Sequence, residues 1–330
     1  MNVAVIGAGA WGTAFSLQLA RKGHHVTLWV YEPELCRTME EARENGLYLP
    51  GFDLPRDMSF TSDLNVVAEA SGTVVLATPS FALRSTVSAI ADRLRGKQLL
   101  ILTKGLEAKT LLTADQVAQE VLGRSTRLAV LSGPSFALEV ARQLFTSAVV
   151  ASVDREVSRY FQEMTHDERF RVYTSQDVIG VELGGALKNV MAIGAGIIEG
   201  LHLGHNTLAA YITRALAEIK RLGSKLGARE TTFMGLSGMG DLILTCTGPL
   251  SRNRQFGVEL AKGKRPEEVI SSQKSVVEGY YTIGAAYEFS RRLAIEMPIT
   301  EELYRVVYEG KDIRASFDDI CRRAIKEEDG

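Results

Sequence analysis

Asn2-Val3-Ala4-Val5-Ile6-Gly7-Ala8-Gly9-Ala10-Trp11-Gly12 is the stretch that decides the fold. Residues 2–6 read as a short apolar strand, residues 7–12 as a G-x-G-x-x-G turn, and residues 13–21 as a helix. In that order they form the first unit of a doubly wound sheet. Gly7 permits the tight turn, Gly9 lets backbone N–H groups reach a pyrophosphate, and Gly12 lets the helix press on the strand. The helix N-terminus supplies the anion site. A merely structural glycine turn is the alternative, and the strand and helix flanking the motif argue for a bound dinucleotide instead.

Outward from this unit, short apolar runs alternate with amphipathic stretches up to about Tyr173, as βαβ units in a parallel sheet require. Strands are expected at 2–6, 25–30, 73–77, 98–102, 128–131 and 147–152, with helices between them. Beyond about Ser175 the chain reads as helix, with polar loops at 235–240 and 248–253. A chain of 330 residues exceeds the size at which one core usually keeps growing. The expected architecture is α/β: a Rossmann-type doubly wound parallel sheet in residues 1–175 that binds the dinucleotide, then an all-α, substrate-binding domain in residues 176–330.

Composition removes several classes of function. Hydrophobic residues at 45% and charged ones at 24% exclude a disordered or collagen-like chain. A formal net charge of -2, without a long Lys/Arg run, offers no field for nucleic acid or a membrane surface. Cys36, Cys246 and Cys321 are odd in number and lack metal-ligand spacing, which points to a reducing compartment and no metal. The first residues carry no basic leader or cleavage site, so the expected location is cytoplasmic. Residues 178–201 are apolar but interrupted by Glu182, Lys188 and Asn189, so they read as a buried helix and not as a membrane span.

Ligands in doubly wound folds sit beyond the carboxyl ends of the strands, and that edge is legible here. The second strand runs out at Val30-Tyr31-Glu32, about 20 residues past Gly12, where an acid takes the ribose 2′-hydroxyl and an Arg accepts a 2′-phosphate. Glu32 therefore leans toward NAD, unless it is only a helix-start residue before Pro33. Three further turns face the same crevice: Thr78-Pro79-Ser80-Phe81, Thr103-Lys104-Gly105 and Ser132-Gly133-Pro134-Ser135. Lys104 brings a cation there. Ser135 opens a helix expected at 136–142, either as its N-cap or as part of an anion site.

Lys188 and Asn189 stand in the middle of the most apolar helix. Burial drives an ammonium's pKa toward neutrality, which suits a general acid or base, whereas a Lys at the helix surface would only snorkel. Asp241, at the head of another apolar run, either pairs with Lys188 or caps a helix. Ser251-Arg252-Asn253-Arg254 is a natural phosphate grip, with Arg supplying a planar fork, and the spacing leaves open which of Arg252 and Arg254 turns inward.

Taken in order, Gly7 to Ala14, Thr103-Lys104-Gly105, Leu131-Ser132-Gly133-Pro134-Ser135-Phe136-Ala137, Glu182-Leu183-Gly184-Gly185-Ala186-Leu187-Lys188-Asn189, Gly240-Asp241-Leu242 and Ser251-Arg252-Asn253 resemble the bacterial NAD(P)-dependent glycerol-3-phosphate dehydrogenase family across essentially the whole chain. The resemblance implies reversible reduction of dihydroxyacetone phosphate to sn-glycerol 3-phosphate for phospholipid synthesis, with NAD or NADP and no metal. It makes Lys188 the proton carrier and sets Lys104, Gly133, Ser135, Asp241, Ser251, Arg252 and Asn253 around the substrate. It sets Ala10, Trp11, Lys104, Ala137, Arg252, Val276 and Glu278 on the cofactor, beside Tyr31, Glu32 and Phe81 at the strand ends. Asn189 and Thr245 match accessory polar groups. Ala10 stands where many relatives have Ser, which removes one hydroxyl near the pyrophosphate; Tyr31 stands where relatives often carry His or Arg, and the missing cation weakens the case for a 2′-phosphate and makes NAD use credible. A dehydrogenase of another hydroxy acid or sugar phosphate, or a non-catalytic dinucleotide sensor, are the competing readings, and the oligomeric state, a homodimer included, stays open.

Overall fold

The computed structural model describes residues 1–273, 276–325 and 327–328. Ten strands run in chain order as β1 (Asn2–Ile6), β2 (His25–Trp29), β3 (Glu44–Asn45), β4 (Leu49–Asp53), β5 (Ser59–Thr61), β6 (Thr73–Leu76), β7 (Gln98–Ile101), β8 (Arg127–Ser132), β9 (Thr146–Ala151) and β10 (Phe170–Ser175). Eight of them form one sheet in the order β10-β9-β8-β7-β6-β1-β2-β5, while β3 and β4 pair separately as a small hairpin. The strands from β1 to β8 in the large sheet are mutually parallel, as the alternation in sequence requires.

The expected parallel sheet needs one correction: β9 runs antiparallel to β8, and β10 follows β9. The link between β8 and β9 holds only the helix Ala137–Ala141. At 1.5 Å per residue that helix spans roughly 8 Å, too little to return along a six-residue strand of roughly 20 Å and start a parallel neighbour. The short β5, the hairpin and β10 were not among the expected strands. β10 alternates buried Phe170 and Val172 with exposed Arg171 and Tyr173, so its inner face has only two apolar anchors.

Helices cover both faces of the sheet. One face is packed by Phe15, Phe161 and Phe170, the other by a second cluster that includes Val178 and Val181. These two valines open the helix Val178–Gly200, whose later residues, from Leu183 to Ile197, enter the separate core of the helical domain. One helix thus belongs to both cores. Asp177 starts it: Oδ1 accepts the Gly180 N–H at 3.1 Å, while Oδ2 accepts the Arg229 N–H at 2.9 Å and the Thr232 hydroxyl at 2.6 Å. By length and composition this helix could cross a membrane, but 94% of its most apolar window is buried inside the fold, as a core helix should be.

Two expected loops are ordered differently. Residues Leu236–Gly240 form a turn of π-helix, because Gly238 and Gly184 lack the side chains that would collide with the Phe233 and Ser237 backbone. The loop expected at 248–253 ends at Ser251, whose hydroxyl caps the helix Arg252–Ala261 by accepting the Arg254 N–H at 3.2 Å. Both changes bring polar residues up against the helix Val178–Gly200. A Cβ on Gly196 of that helix would collide with the Arg254 carbonyl, and one on Gly185 would stand 2.6 Å from Ser132 Oγ at the sheet edge.

Candidate active site

The strand order lays the candidate turns out along one edge: Tyr31 and Glu32 beyond β2, the glycine turn beyond β1, Ser80 and Phe81 beyond β6, Lys104 beyond β7, and Gly133 and Ser135 beyond β8. Glu32 and Lys104 are three strand spacings apart, roughly 14 Å at ~4.8 Å each.

At the glycine turn, the helix starts at Ala10, earlier than the expected 13, with Gly9 as an N-cap that offers no side chain. Thr13 N–H bonds Gly9 O at 2.9 Å, so the amides of Ala10, Trp11 and Gly12 lie in the open first turn. Gly7 has φ +118°, a Cβ on Gly12 would collide with the Gly7 carbonyl, and the space above Gly9 is empty to 4 Å. The indole Nε1–H of Trp11 is buried without an acceptor among the described residues. Uncapped N–H groups, open space above a glycine and a positive helix end fit a dinucleotide's pyrophosphate. Trp11 and Ala137 both pack on the aromatic face of the sheet core beside this turn.

Two residues that the sequence did not flag hold the turn. Asn45, fully buried in the hairpin, donates from Nδ2 to Ala8 O and to Thr13 Oγ1, each at 2.8 Å. Its Oδ1 accepts the Tyr48 N–H at 3.0 Å, and the Tyr48 hydroxyl donates to Glu32 Oε1 at 2.7 Å. Glu32 is indeed the residue that precedes the helix Pro33–Ala42, yet its side chain makes no cap and is tied to Tyr48. Tyr31 beside it is 73% exposed.

At the other end of the edge, two lysines meet one carboxylate. Lys188 Nζ donates to Asp241 Oδ1 at 2.7 Å and to Thr245 Oγ1 at 2.8 Å, and Lys104 Nζ donates to Asp241 Oδ2 at 2.7 Å and to Gly133 O at 3.0 Å. Lys188 is 7% exposed and Asp241 1%. Asp241 is therefore not a capping residue: it opens the helix Asp241–Thr247 with its carboxylate turned to the two ammonium groups. Burial lowers the Lys188 pKa to about 8; Asp241 pulls it up and the charge of Lys104 pushes it further down. Thr245 is fixed in turn by donating to Asp241 O at 2.6 Å.

A chain of amides joins this triad to its surroundings. Asn189 Nδ2 reaches Lys104 O at 3.5 Å, Asn189 Oδ1 accepts Asn253 Nδ2 at 2.9 Å, and Asn253 Oδ1 accepts the Gly279 N–H at 2.9 Å. Next to Gly279, the Glu278 carboxylate accepts the Ser80 N–H at 3.1 Å and the Ser80 hydroxyl at 2.6 Å, spanning from the helical domain to the sheet. Burial raises the Glu278 pKa, against the pull of these two donors. Phe81 meets Tyr281 across the same junction with ring centroids 5.3 Å apart, and half-buried Val276 stands two residues before Glu278.

The remaining candidates sort themselves by partner. Arg254 is paired with Glu199. Arg252, on the first turn of its helix, is exposed and makes no hydrogen bond or ion pair with a described residue, although the charge of Glu278 is within electrostatic reach. Ser135 is not an N-cap, since Phe136 holds that position, and its hydroxyl donates to Gly133 O at 2.9 Å. The described fold thus brings Lys104, Gly133, Ser135, Lys188, Asn189, Asp241, Thr245 and Asn253 into one connected cluster and leaves Tyr31 and Glu32 at the far end of the edge.

Residues 2–158 match the family model described as NAD-dependent glycerol-3-phosphate dehydrogenase N-terminus, and residues 177–318 match the corresponding C-terminus. The glycerol-3-phosphate dehydrogenase of Syntrophotalea carbinolica, named for NAD(P)+, is 48% identical over 331 residues, which cover 99% of each chain. That of Moorella thermoacetica is 49% identical over 94% of this chain and 93% of its own. The crystal structure of glycerol-3-phosphate dehydrogenase from Coxiella burnetii superposes with a TM-score of 0.94 at 38% identity, covering 98% of this chain and 99% of that one. With both halves matched in order and relatives aligned end to end, this chain belongs to the NAD-dependent glycerol-3-phosphate dehydrogenase family.

Proposed function

We propose that this enzyme reduces dihydroxyacetone phosphate to sn-glycerol 3-phosphate, reversibly, in the crevice between residues 1–175, which hold the cofactor, and residues 176–330, which hold the substrate. The observation that carries the reading is the pair of lysines on one aspartate, Lys188 buried and Lys104 half-buried, with a Lys188 pKa of about 8. A bound nicotinamide cofactor supplies the hydride for C2 of the ketone. Lys188 Nζ gives the ketone oxygen its proton, and in the reverse direction takes the proton of the alcohol. Lys104, pinned between Asp241 and Gly133 O, adds positive potential where negative charge develops on that oxygen. Asp241 fixes both ammonium groups, Thr245 accepts from that of Lys188, and Asn189 braces the Lys104 backbone carbonyl.

Arg252 and Asn253 take the substrate phosphate, with Gly133, Ser135 and Ser251 completing the pocket. The unpaired guanidinium of Arg252, against the engaged one of Arg254, favours the former as the grip. Gly7, Gly9, Ala10, Trp11 and Gly12 cradle the pyrophosphate. Ala137, Phe81, Val276 and Glu278 line the nicotinamide side, and Tyr31 and Glu32 the adenosine side. The three cysteines are free thiols, which fits a reducing compartment, and we assign the enzyme to the cytoplasm, where its product feeds glycerophospholipid synthesis.

Two measurements test this reading. Charge-assisted hydrogen bonds are worth about 1.5–3 kcal/mol, so Arg252→Ala should raise KM for dihydroxyacetone phosphate roughly 10- to 100-fold, and Arg254→Ala far less. With unphosphorylated dihydroxyacetone the Arg252 effect should vanish; an equal effect on both ketones rejects the phosphate grip. Reduction needs Lys188 protonated, so its kcat/KM should be level below pH 8 and fall about tenfold per unit above it, while oxidation of glycerol 3-phosphate gains over the same range. A reductive profile that stays flat from pH 6 to roughly 10 would rule Lys188 out as the donor.

A further inference from the structure

We infer that Ser80 is a positioning residue: together with Glu278 it clamps the turn that carries Lys104, and so sets where the second ammonium stands. The inference rests on the two-lysine chemistry proposed above and concerns what holds Lys104 in place. The backbone around that lysine is tied at successive residues. Before it, Thr103 Oγ1 donates to Thr78 O at 2.7 Å, in the turn beyond β6. At Lys104 itself, Asn189 Nδ2 reaches the carbonyl oxygen at 3.5 Å. After it, Gly105 lies so close beneath Ser80 that a Cβ there would stand 2.7 Å from Ser80 Cβ and Oγ and 3.0 Å from Glu278 Oε2. Further along the same turn, Glu107 accepts from Arg84 Nε and Nη2, each at 2.8 Å, and Arg84 belongs to the helix Ser80–Ala89 that Ser80 opens.

Ser80 is where this clamp meets the helical domain. It is buried, and its N–H and its hydroxyl both go to the Glu278 carboxylate, at 3.1 Å and 2.6 Å. From Gly279, the next residue, the path runs through Asn253 and Asn189 back to Lys104 O. The contacts therefore close a ring that leaves the sheet at Ser80 and returns at the lysine turn. In a ring, no member moves without stretching the others. Without the Ser80 hydroxyl, Glu278 keeps only the amide donor, Gly105 gains room, and Lys104 can draw back from Asp241. That retreat has an electrical signature. Burial lowers the Lys188 pKa most; of the charges facing it, Asp241 and Cys246 pull it up and Lys104 pushes it down. Once Lys104 withdraws, the push weakens and Asp241 is left to Lys188, which then keeps its proton to higher pH.

The experiment follows reduction of dihydroxyacetone phosphate by the full-length enzyme from pH 6 to roughly 10 in wild type and three variants. Ser80→Ala should lower kcat roughly tenfold at neutral pH, because a displaced cation no longer meets the developing charge. Its alkaline limb of kcat/KM should move up from that of wild type by about half a unit or more. Gly105→Ala, whose methyl wedges against Ser80 and Glu278, should do the same at least as strongly. The two changes combined should cost less than the product of their separate effects, since they break one contact. Ser85→Ala, at an exposed position on the same helix, should match wild type in both readouts. Wild-type kcat in Ser80→Ala and Gly105→Ala overturns the inference, and so does a lower kcat with the limb unmoved, which reduces Ser80 to a stability contact; the dehydrogenase reading stands in either case. A wild type that does not turn over dihydroxyacetone phosphate overturns both.

Discussion

Replacing Lys188 by alanine is expected to lower kcat for dihydroxyacetone phosphate reduction at least ~100-fold while leaving NADH binding in place. A positioned general acid contributes typically 10²–10⁴ in rate, and no second donor stands ready at the same point. Lys104 is close, but its Nζ is already shared between Asp241 Oδ2 and Gly133 O. The substitution is tolerable for the fold because Asp241 keeps Lys104 as counterion and so does not become an unpaired buried anion. Cofactor binding should survive because the glycine turn and the Glu32–Tyr48 contact lie on other strands. The check is kcat alongside a fluorescence titration with NADH. Turnover within fivefold of wild type would remove Lys188 from the chemistry; loss of NADH binding would show that the change reached the cofactor crevice instead.

How much of this could be read before any coordinates differs from residue to residue, for physical reasons. The glycine turn is a local signal: strand, three glycines and helix lie within one short stretch, and each glycine is there for a backbone reason that φ and close packing then satisfy. The lysine helix was legible as buried, because residues 178–200 are too apolar to face water. The direction of Lys188 was not, since a helix buried all round has no polar face to fix its rotation. Arg252 and Arg254 stand two apart with equal chemistry, and what sets them apart is the pairing of Arg254 with Glu199, more than fifty positions away. Asp241 illustrates the same limit: its dual pairing depends on Lys104 beyond β7 and Lys188 on the helix Val178–Gly200 both reaching it, one on each carboxylate oxygen. The Asn45 hairpin escaped notice because a two-residue strand leaves no periodicity to detect.

Asp241→Asn should be nearly as damaging as loss of Lys188, and by a different route that the pH profile reveals. The carboxylate is the main group opposing the desolvation of Lys188 and the repulsion from Lys104, with Cys246 adding a smaller pull the same way. An asparagine keeps the shape and one acceptor oxygen, but the two ammonium groups then confront each other in a buried site. Breaking a buried ion pair of this kind costs about 3 kcal/mol or more if both charges persist. The protein can escape most of that cost by releasing the Lys188 proton, so the strain is expected to emerge as a fall of the Lys188 pKa from about 8 to well below neutrality. At pH 7 the proton donor would be largely missing, and reduction should drop roughly 100-fold. The sign is what distinguishes this from simple damage. With a lowered pKa the protonated form returns on acidification, so residual activity should rise as the pH falls below 7, whereas wild type is level there. The same shift should leave the thermal midpoint lower at acid pH, where both lysines are forced to carry charge, than at pH 9. Kinetics from pH 5 to roughly 9 with melting curves at both ends would test it, and a variant whose reductive limb stayed near pH 8 would mean that Asp241 does not hold the Lys188 proton.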